Sequence, residues 1–535
     1  MNNVEAARAS GAVSGDEADR LISEAHFIRA YIYYGLVKRY GGVPIVDHAQ
    51  DSEFVPGDAS SVSVPRSTEK ETWDFVLAEC DKAAANLPES VSDYRASKWA
   101  ALALKSRAAL HAASVAKYWD KAAMTGEAVT AKLVGGMSST DAQAYYQACL
   151  DASSAIITGS GKALYMPEPA TVEDAVANYQ NLFLNKTDEF IFGKAYLDGT
   201  INANQGHSYW QYNILPQVNT GGSIRYGRFN PTLDIVDAYE SYSNDGVRDD
   251  APIVTREDGV ETPIANINGE NMIDLDNPYM KYDDLSSPFE DKDARMHASI
   301  IVPGSNYGDV KIIMQGGIVK TDGTYAIYAN ESATGKDGKT YWGFGAEGSA
   351  AYSGFAELGG SENSNWSTTG FGIRKYMPEG KSFSGSWNAS TVSFIDMRLA
   401  EIYLNYAEAQ VESGKGDATL AKNYLNALRR RAAHMDEIEL TLENVLKERR
   451  VELAFEGQRM WDLMRRREYH EVFNSTNRTI LVPMIDLRED TPKYIFLRGN
   501  FHADERSGGR KFQVGSYYRS IPNATSDGLV QNPGY

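Results

Sequence analysis

The chain has 535 residues and 42% hydrophobic content, which is enough for a sizeable core. Its 72 acidic and 53 basic residues give a net charge of −19, which repels phosphate backbones and anionic lipid and argues against a nucleic-acid-binding protein. No stretch approaches the ~18 apolar residues of a membrane span. The first twenty residues show no signal-peptide pattern, and Cys80 and Cys149 show no metal-ligand spacing, so both are expected to be small buried residues.

Four helices are predicted in the first part of the chain from apolar residues at spacings of three and four. They cover 17–40, 68–86, 97–118 and 141–158. In the first helix Ala25, Ile28, Ile32 and Leu36 form the expected apolar stripe, and Gly41, Gly42 and Pro44 end it. Its tyrosines, Tyr31, Tyr33, Tyr34 and Tyr40, are expected mostly to pack. The second helix begins with a Thr68–Glu71 capping box.

The pattern changes near residue 180. From there to about 390 the chain is rich in Gly, Asn, Ser, Asp and Tyr, with short β-like runs and one helix expected near 231–241. Helices return at 391–470, and the tail after them is expected to be irregular. We therefore divide the chain into an N-terminal helical region (1–180), a loop-rich region (181–390), C-terminal helices (391–470) and an irregular tail (471–535) that packs on the scaffold.

Two helix pairs keep the residue spacing of tetratricopeptide units. Trp99, Leu102 and Ala103 match the first helix of such a unit, and so do Tyr403, Tyr406 and Ala407, with Gly414 at the following turn. Stacked pairs of this kind bury a continuous core. The predicted fold is mostly α: a tetratricopeptide-like helical scaffold that carries a loop-rich, mixed α/β ligand-binding region.

Seven segments in order resemble the SusD/RagB-like family of outer-membrane nutrient-binding lipoproteins. The segments begin at residues 23, 97, 291, 367, 394, 447 and 529, and they read SEAHFIRAYIYYGLVKRYGGVPIV, SKWAALALKSRAAL, DKDARMHASIIVPG, STTGFGIRKYMPEG, FIDMRLAEIYLNYAEA, KERRVELAFEGQRMWDLMR and LVQNPGY. Ala294 stands where the family usually has proline. The lipoprotein signal and lipidated cysteine usual in the family are not seen before Glu24.

The resemblance implies a non-enzymatic protein that binds an oligosaccharide and delivers it to a TonB-dependent, SusC-like outer-membrane transporter. It also implies a surface-exposed location on the outer membrane, with a lipid anchor in the full-length precursor, and no nucleic-acid partner. Peptide capture by the same kind of protein is one alternative. An α-helical glycoside hydrolase using Glu452 or Glu456 is another, because Glu448, Glu452 and Glu456 share one face of a predicted helix. Ion pairs with neighbouring arginines explain that face more simply.

Aromatic side chains in polar loops are the predicted ligand-binding residues. A flat ring stacks on the C–H face of a sugar, and neighbouring amides and hydroxyls bond its hydroxyl groups. The runs HSYWQYN, TYWGFG and NSNWSTTG supply both elements. From them we predict a ligand-binding set of Trp342, Trp366, Tyr209, Trp210, Tyr341 and Asn365, while Trp387 is expected only to pack.

No cofactor is predicted. The acidic run 274–285 offers clustered oxygens but lacks the glycine of an EF-hand loop, which leaves a structural calcium open. The histidines form no metal-binding pair and the serines no nucleophile elbow.

Overall fold

The computed structural model describes the chain except for residues 52, 57, 92–93, 198, 200–204, 219–226, 245, 268–272, 347–352, 356–365 and 380–386. The helices are α1 Asn2–Ala9, α2 Gly15–Tyr40, α3 Glu69–Asn86, α4 Lys98–Tyr118, α5 Glu127–Thr130, α6 Ser139–Gly159, α7 Val172–Leu184, α8 Tyr209–Asn213, α9 Leu233–Asp237, α10 Ala294–Ser299, α11 Leu399–Ser413, α12 Ala418–Arg431, α13 Leu442–Glu452, α14 Arg459–Arg465, α15 Tyr469–Phe473 and α16 His502–Arg506. Helices account for about 41% of the protein.

The strands are short and form small sheets. They are β1 Phe190–Lys194, β2 Ile300–Ile301, β3 Asn306–Tyr307, β4 Val310–Lys311, β5 Gly317–Val319, β6 Tyr325–Ile327, β7 Ser332–Thr334, β8 Thr340–Trp342, β9 Gly372–Ile373, β10 Phe394–Arg398, β11 Thr479–Asp486 and β12 Lys493–Asn500. The described four-stranded sheet has the order β12-β11-β5-β6, with β11 and β5 parallel and the other neighbours antiparallel. β1 pairs with β10, which feeds directly into α11.

The long helices form the scaffold predicted from the tetratricopeptide spacing. One core cluster extends from α2 through α3, α4 and α6 to α11, α12 and α13. Trp73 is 0% exposed, Trp99 is buried, and Tyr403 stacks on Tyr424 with ring centroids 4.5 Å apart. Gly414 ends α11 in the left-handed conformation, with φ of 69°. The predicted fold class is confirmed.

Helix α2 packs with a different face from the predicted stripe. Phe27, Tyr33 and Tyr34 are buried, whereas Ile28 and Ile32 are more than half exposed. Tyr31 was expected to pack, but it is 39% exposed and donates its hydroxyl to Asp396 at 2.9 Å. Spacings of three and four fit both faces of this helix, because apolar residues surround most of it.

The region after residue 440 departs from the prediction in two places. Phe455 and Gly457 adopt left-handed φ values of 65° and 77°, so the helix predicted to be continuous there is split into α13 and α14. The tail expected to be irregular contains β11 and β12, the longest described strands. Pro483 lies inside β11, just before its parallel pairing with β5 begins at Met484, so the missing N–H breaks no bond of that ladder.

Arg66 ties the end of α2 to the last residues of the chain. Its guanidinium donates to the carbonyl oxygens of Gly42 at 2.8 Å, Tyr40 at 2.9 Å and Val530 at 2.7 Å, and to the Asn532 side chain at 2.9 Å. The Asn532 amide donates in turn to the Tyr40 carbonyl at 2.9 Å. The C-terminal segment is therefore part of the scaffold. No helix within the described residues has the length and apolarity to cross a membrane.

Candidate functional site

Three partly exposed aromatic side chains meet on the surface of the loop-rich region. The Tyr212 ring centroid lies 5.2 Å from that of Trp387 and 6.0 Å from that of Phe229. Trp387 is 41% exposed and Phe229 is 53% exposed. The Arg228 guanidinium lies over the Tyr212 ring, 5.4 Å from its centroid. We call Tyr212, Phe229 and Trp387 the aromatic platform.

The short helix α8 sets the position of Tyr212. Tyr209 and Trp210, the two aromatic residues before Tyr212 in this helix, point into the protein and pack against buried hydrophobic clusters. The Tyr209 hydroxyl donates to the Lys375 carbonyl at 3.1 Å, and the Trp210 indole donates to the Tyr376 carbonyl at 3.2 Å. These contacts hold the helix so that Tyr212 reaches the surface.

Polar groups lie beside the platform. The Ser208 hydroxyl donates to the Asn388 side-chain oxygen at 3.0 Å and accepts from the Asn388 backbone N–H at 2.9 Å. Asn388 is exposed and follows Trp387 directly, with a left-handed φ of 63° that asparagine tolerates better than most residues. A ring surface next to amide and hydroxyl groups matches the two faces of a sugar.

A cavity of about 380 Å³ continues from Phe229. It lies between Asn230, Thr368, Phe455 and Phe501. The Asn230 side-chain oxygen accepts from the Thr368 N–H at 3.1 Å and from its hydroxyl at 3.2 Å, which fixes the polar wall. The left-handed turn at Phe455 places that residue on the wall instead of inside a helix. The platform and this cavity form the candidate site.

The other predicted site residues lie in different elements. Tyr341 and Trp342 are half-buried on β8, which pairs with β7, and the Trp342 carbonyl accepts from the Gln315 side chain at 2.8 Å. Trp366 is half-buried, two residues before the cavity residue Thr368. Asn365 lies outside the described residues. A role for these residues in binding, like that of Tyr209 and Trp210, stays a prediction.

The sequence pattern predicts only packing for Trp387 and does not single out Phe229. The signal was present for part of the platform, because HSYWQYN includes Tyr212. Phe229 and Trp387 stand alone in polar segments, and only the fold brings them to Tyr212.

The carboxylates considered for catalysis are buried in an ion-pair network. Glu452 contacts Arg398 at 2.7 Å, Arg295 at 3.0 Å, and also Arg431. Glu456 contacts Lys375 and Arg398, each at 2.7 Å. Burial alone would raise the pKa of Glu452, but the neighbouring arginines hold it well below its usual range. A general acid needs a raised pKa and access to substrate, and this carboxylate has neither.

One group of described residues brings three potential metal ligands together, namely Glu240, Asp293 and His434. Arginines already occupy this group: Arg248 lies 3.3 Å from Glu240 and Arg295 lies 2.7 Å from Asp293. Burial opposes protonation of His434, yet the hydrogen bond to Asp293 raises its pKa. A cation-rich cluster with a protonation-prone imidazole suits ion pairing better than metal binding.

The acidic run 274–285 is the candidate calcium loop. Within it, the Asp274 carboxylate accepts a hydrogen bond from the Asp276 backbone N–H at 3.0 Å.

The fold and surface define a class: a helical-repeat scaffold that displays an aromatic, polar-edged surface on inserted loops. Comparison with known proteins is consistent with that class. Residues 188–535 match the model of the SusD family, and residues 4–110 match a model described as starch-binding associating with outer membrane. The protein belongs to the SusD family.

Individual relatives are distant in sequence. SusD-like protein P2 of Formosa agariphila is 23% identical over 500 residues, which cover 89% of this chain and 73% of that protein. A SusD-like protein from Bacteroides fragilis matches with a TM-score of 0.62 at 23% identity, covering 98% of this chain and 81% of that one. A SusD-like carbohydrate-binding protein of the same species has a TM-score of 0.60 at 22% identity, covering 97% and 80%.

Proposed function

We propose that the protein captures an oligosaccharide at the cell surface without cleaving it and passes it to a TonB-dependent, SusC-like outer-membrane transporter. The observation that carries the binding role is the exposed platform of Tyr212, Phe229 and Trp387 beside Ser208 and Asn388. Rings of this kind bury the apolar face of a sugar, and the polar groups fix its orientation.

The family supports this proposal. One matching family model is described as starch-binding associating with outer membrane. One structural neighbour is a SusD-like carbohydrate-binding protein, and another, with a TM-score of 0.52 at 16% identity over 97% of this chain and 79% of that one, is surface glycan-binding protein A of Bacteroides thetaiotaomicron. The delivery role, the outer-membrane location and the lipid anchor of the precursor follow from the family resemblance.

The binding role is tested by affinity electrophoresis against a panel of polysaccharides, with reducing-sugar release measured on the same samples. We expect retardation without cleavage. Trp387→Ala and Phe229→Ala should each reduce the retardation, while Tyr535→Ala, which removes a ring that is more exposed than either, should not. Equal effects of all three variants, or release of reducing sugar, would contradict the proposal.

The delivery role needs a separate experiment. Affinity purification of the tagged full-length protein from detergent-solubilised outer membranes should recover a large β-barrel transporter in near-equal amount. If the purified protein consistently lacks such a transporter, the delivery role is contradicted, while the proposed capture of the oligosaccharide is unaffected.

A further inference from the structure

A groove with an excess of positive charge extends from the candidate site. Two cavities of about 590 and 220 Å³ share Met460, Tyr469 and Phe473. The larger one also shares Thr232, Phe455 and Arg478 with the 380 Å³ cavity of the candidate site. The two cavities therefore adjoin the candidate site, within reach of a chain-like ligand that lies on the platform. We call the two cavities the basic groove.

The charge of the basic groove is opposite to that of the protein. Six basic side chains in its lining form no ion pair with any described residue: Lys38, Arg39, Arg459, Arg510, Lys511 and Arg519. Asp234 is the acidic residue among those lining the larger cavity, and its carboxylate already accepts the Thr479 N–H at 2.9 Å. On a chain with a net charge of −19, this grouping is a local reversal of sign.

Several buried arginines outside the groove are neutralised by carboxylates. Arg398 lies between Glu189, Glu452 and Glu456. Arg465 lies 2.6 Å from Glu408 and 3.0 Å from Asp462. Three of the six groove cations, Lys38, Arg39 and Arg510, lie over aromatic rings instead. Lys38 lies 4.2 Å from the Trp461 ring centroid, and Arg510 lies 4.4 Å from that of Phe473. A ring positions a cation without cancelling its charge, so the charge stays available to an anion.

Burial and neighbouring cations disfavour the charged form of Lys38. Burial, with the charges of Arg107 and Arg39, lowers the pKa of Lys38 to about 7. An anion bound beside this ammonium would oppose that shift and favour its charged form.

We infer that the basic groove binds the carboxylate or sulfate groups of an anionic polysaccharide whose neighbouring rings stack on the aromatic platform. The inference rests on the proposed function and names its substrate class. Aromatic rings lie beside the cations in the groove: the Phe473 ring stacks on that of Tyr469 with centroids 4.8 Å apart, and the Tyr469 centroid lies 4.7 Å from that of Phe512. A polymer that carries charged groups on sugar rings suits this combination. The recessed cavities favour a slender chain over a flat membrane surface.

The test uses two matched pairs of polymers, measured by isothermal titration calorimetry. One pair is polygalacturonate and its fully methyl-esterified form, and the other is dextran sulfate and dextran. We expect the charged member to bind at least about tenfold more tightly at low salt, and this preference to shrink as salt is raised. The two pairs show whether carboxylate or sulfate is the preferred group.

Variants locate the charge effect. A double variant, Arg459→Glu with Arg510→Gln, should reduce binding of the charged polymer by about tenfold or more. It should leave binding of the neutral polymer and the melting temperature unchanged. Lys415→Glu is the matched control, because Lys415 is an exposed lysine on the turn between α11 and α12 that pairs with no described carboxylate and lies outside the groove lining.

Three results would overturn the inference. The charged polymers could bind no better than the neutral ones, the control variant could lose as much affinity as the groove variants, or poly-glutamate could compete as well as the charged polysaccharide. Failure of the proposed function looks different: no polymer, neutral or charged, would then bind, and Trp387→Ala would change nothing.

Discussion

The helical scaffold and the loop-rich region use the same large aromatic residues in opposite ways. In the scaffold, Trp73 and Trp99 are buried between helices, where their contacts stabilise the fold. In the loop-rich region, Phe229 and Trp387 keep 53% and 41% of their surface exposed. Burial of a tryptophan follows from the helix pattern around it, whereas exposure in a loop depends on which distant segments meet there.

The two regions are joined by charge as well as by apolar packing. Arg398, at the start of α11, contacts Glu189 beside β1 and Glu452 on α13, each at 2.7 Å. Lys375, from the loop-rich region, reaches Glu456 at 2.7 Å. Because Tyr209 donates to the Lys375 carbonyl, the network also holds the base of the helix that presents Tyr212. The site is thus attached to the scaffold through buried ion pairs.

The largest expected effect comes from breaking that attachment. Glu452→Gln removes a buried carboxylate that pairs with Arg295, Arg398 and Arg431, and it should lower the free energy of unfolding by about 3–5 kcal/mol. Urea denaturation measures the change. The control is Glu443→Gln, which removes a solvent-facing carboxylate from an i,i+4 pair with Lys447 on the same helix. Equal losses in the two variants would show that the network does not join the regions.

A pair of tryptophan variants tests the contrast directly. Trp73→Ala should cost about 3–5 kcal/mol of stability, because it leaves a large cavity in the scaffold core. Trp387→Ala should leave the melting temperature nearly unchanged and weaken glycan binding. Calorimetric melting and affinity electrophoresis on both variants measure the two effects. A collapse of stability in Trp387→Ala would identify that ring as a packing residue.

Acid should destabilise the protein through its buried carboxylates. Despite burial, hydrogen bonds from Arg29, His26 and Lys82 lower the pKa of Glu79 to about 2, and the pKa values of Glu452 and Glu456 also lie below their usual range. The unfolded chain binds protons near pH ~4.3, so this stability is present above pH ~5 and is lost as pH falls towards 2. Urea denaturation from pH 7 to pH 3 should show the decline, and Glu79→Gln should flatten it. A constant stability over that range would contradict the assignment.

The smallest effects are expected at the residues predicted from loop composition. Trp342→Ala and Trp366→Ala should weaken glycan binding by less than Trp387→Ala and leave folding intact, since both rings are half-buried at the surface of the loop-rich region. Calorimetric titration with the best polymer of the panel measures the difference. If melting temperature falls sharply in both variants, these rings belong to the core.

Sequence patterns predict the scaffold well because helix signals are local. The Thr68–Glu71 capping box is present as predicted, and the four N-terminal helices begin and end within a few residues of their expected bounds. The failures are non-local. The helical run breaks at the left-handed residues Phe455 and Gly457, and Phe455 then lines the cavity of the candidate site. Pro483 is tolerated in β11 because of where the neighbouring strand begins.

The candidate site is less predictable for the same reason. Tyr212 lies in a run singled out by composition, but its partners come from segments 17 residues and 175 residues further along the chain, at Phe229 and Trp387. Their meeting depends on the hydrogen bonds of Ser208, Ser390 and Asn388, none of which has a sequence signal. The groove cations likewise come from α2, α14 and the segment after residue 509.

The hydrogen bonds of Arg66 connect parts of the chain that are synthesised at very different times. Its hydrogen bonds reach Val530 and Asn532, 464 and 466 positions later in the chain. A polypeptide that emerges amino-terminus first holds Tyr40 and Gly42 without these partners until synthesis is almost finished. These contacts between the end of α2 and the last residues of the chain can therefore form only after almost the whole chain has been synthesised.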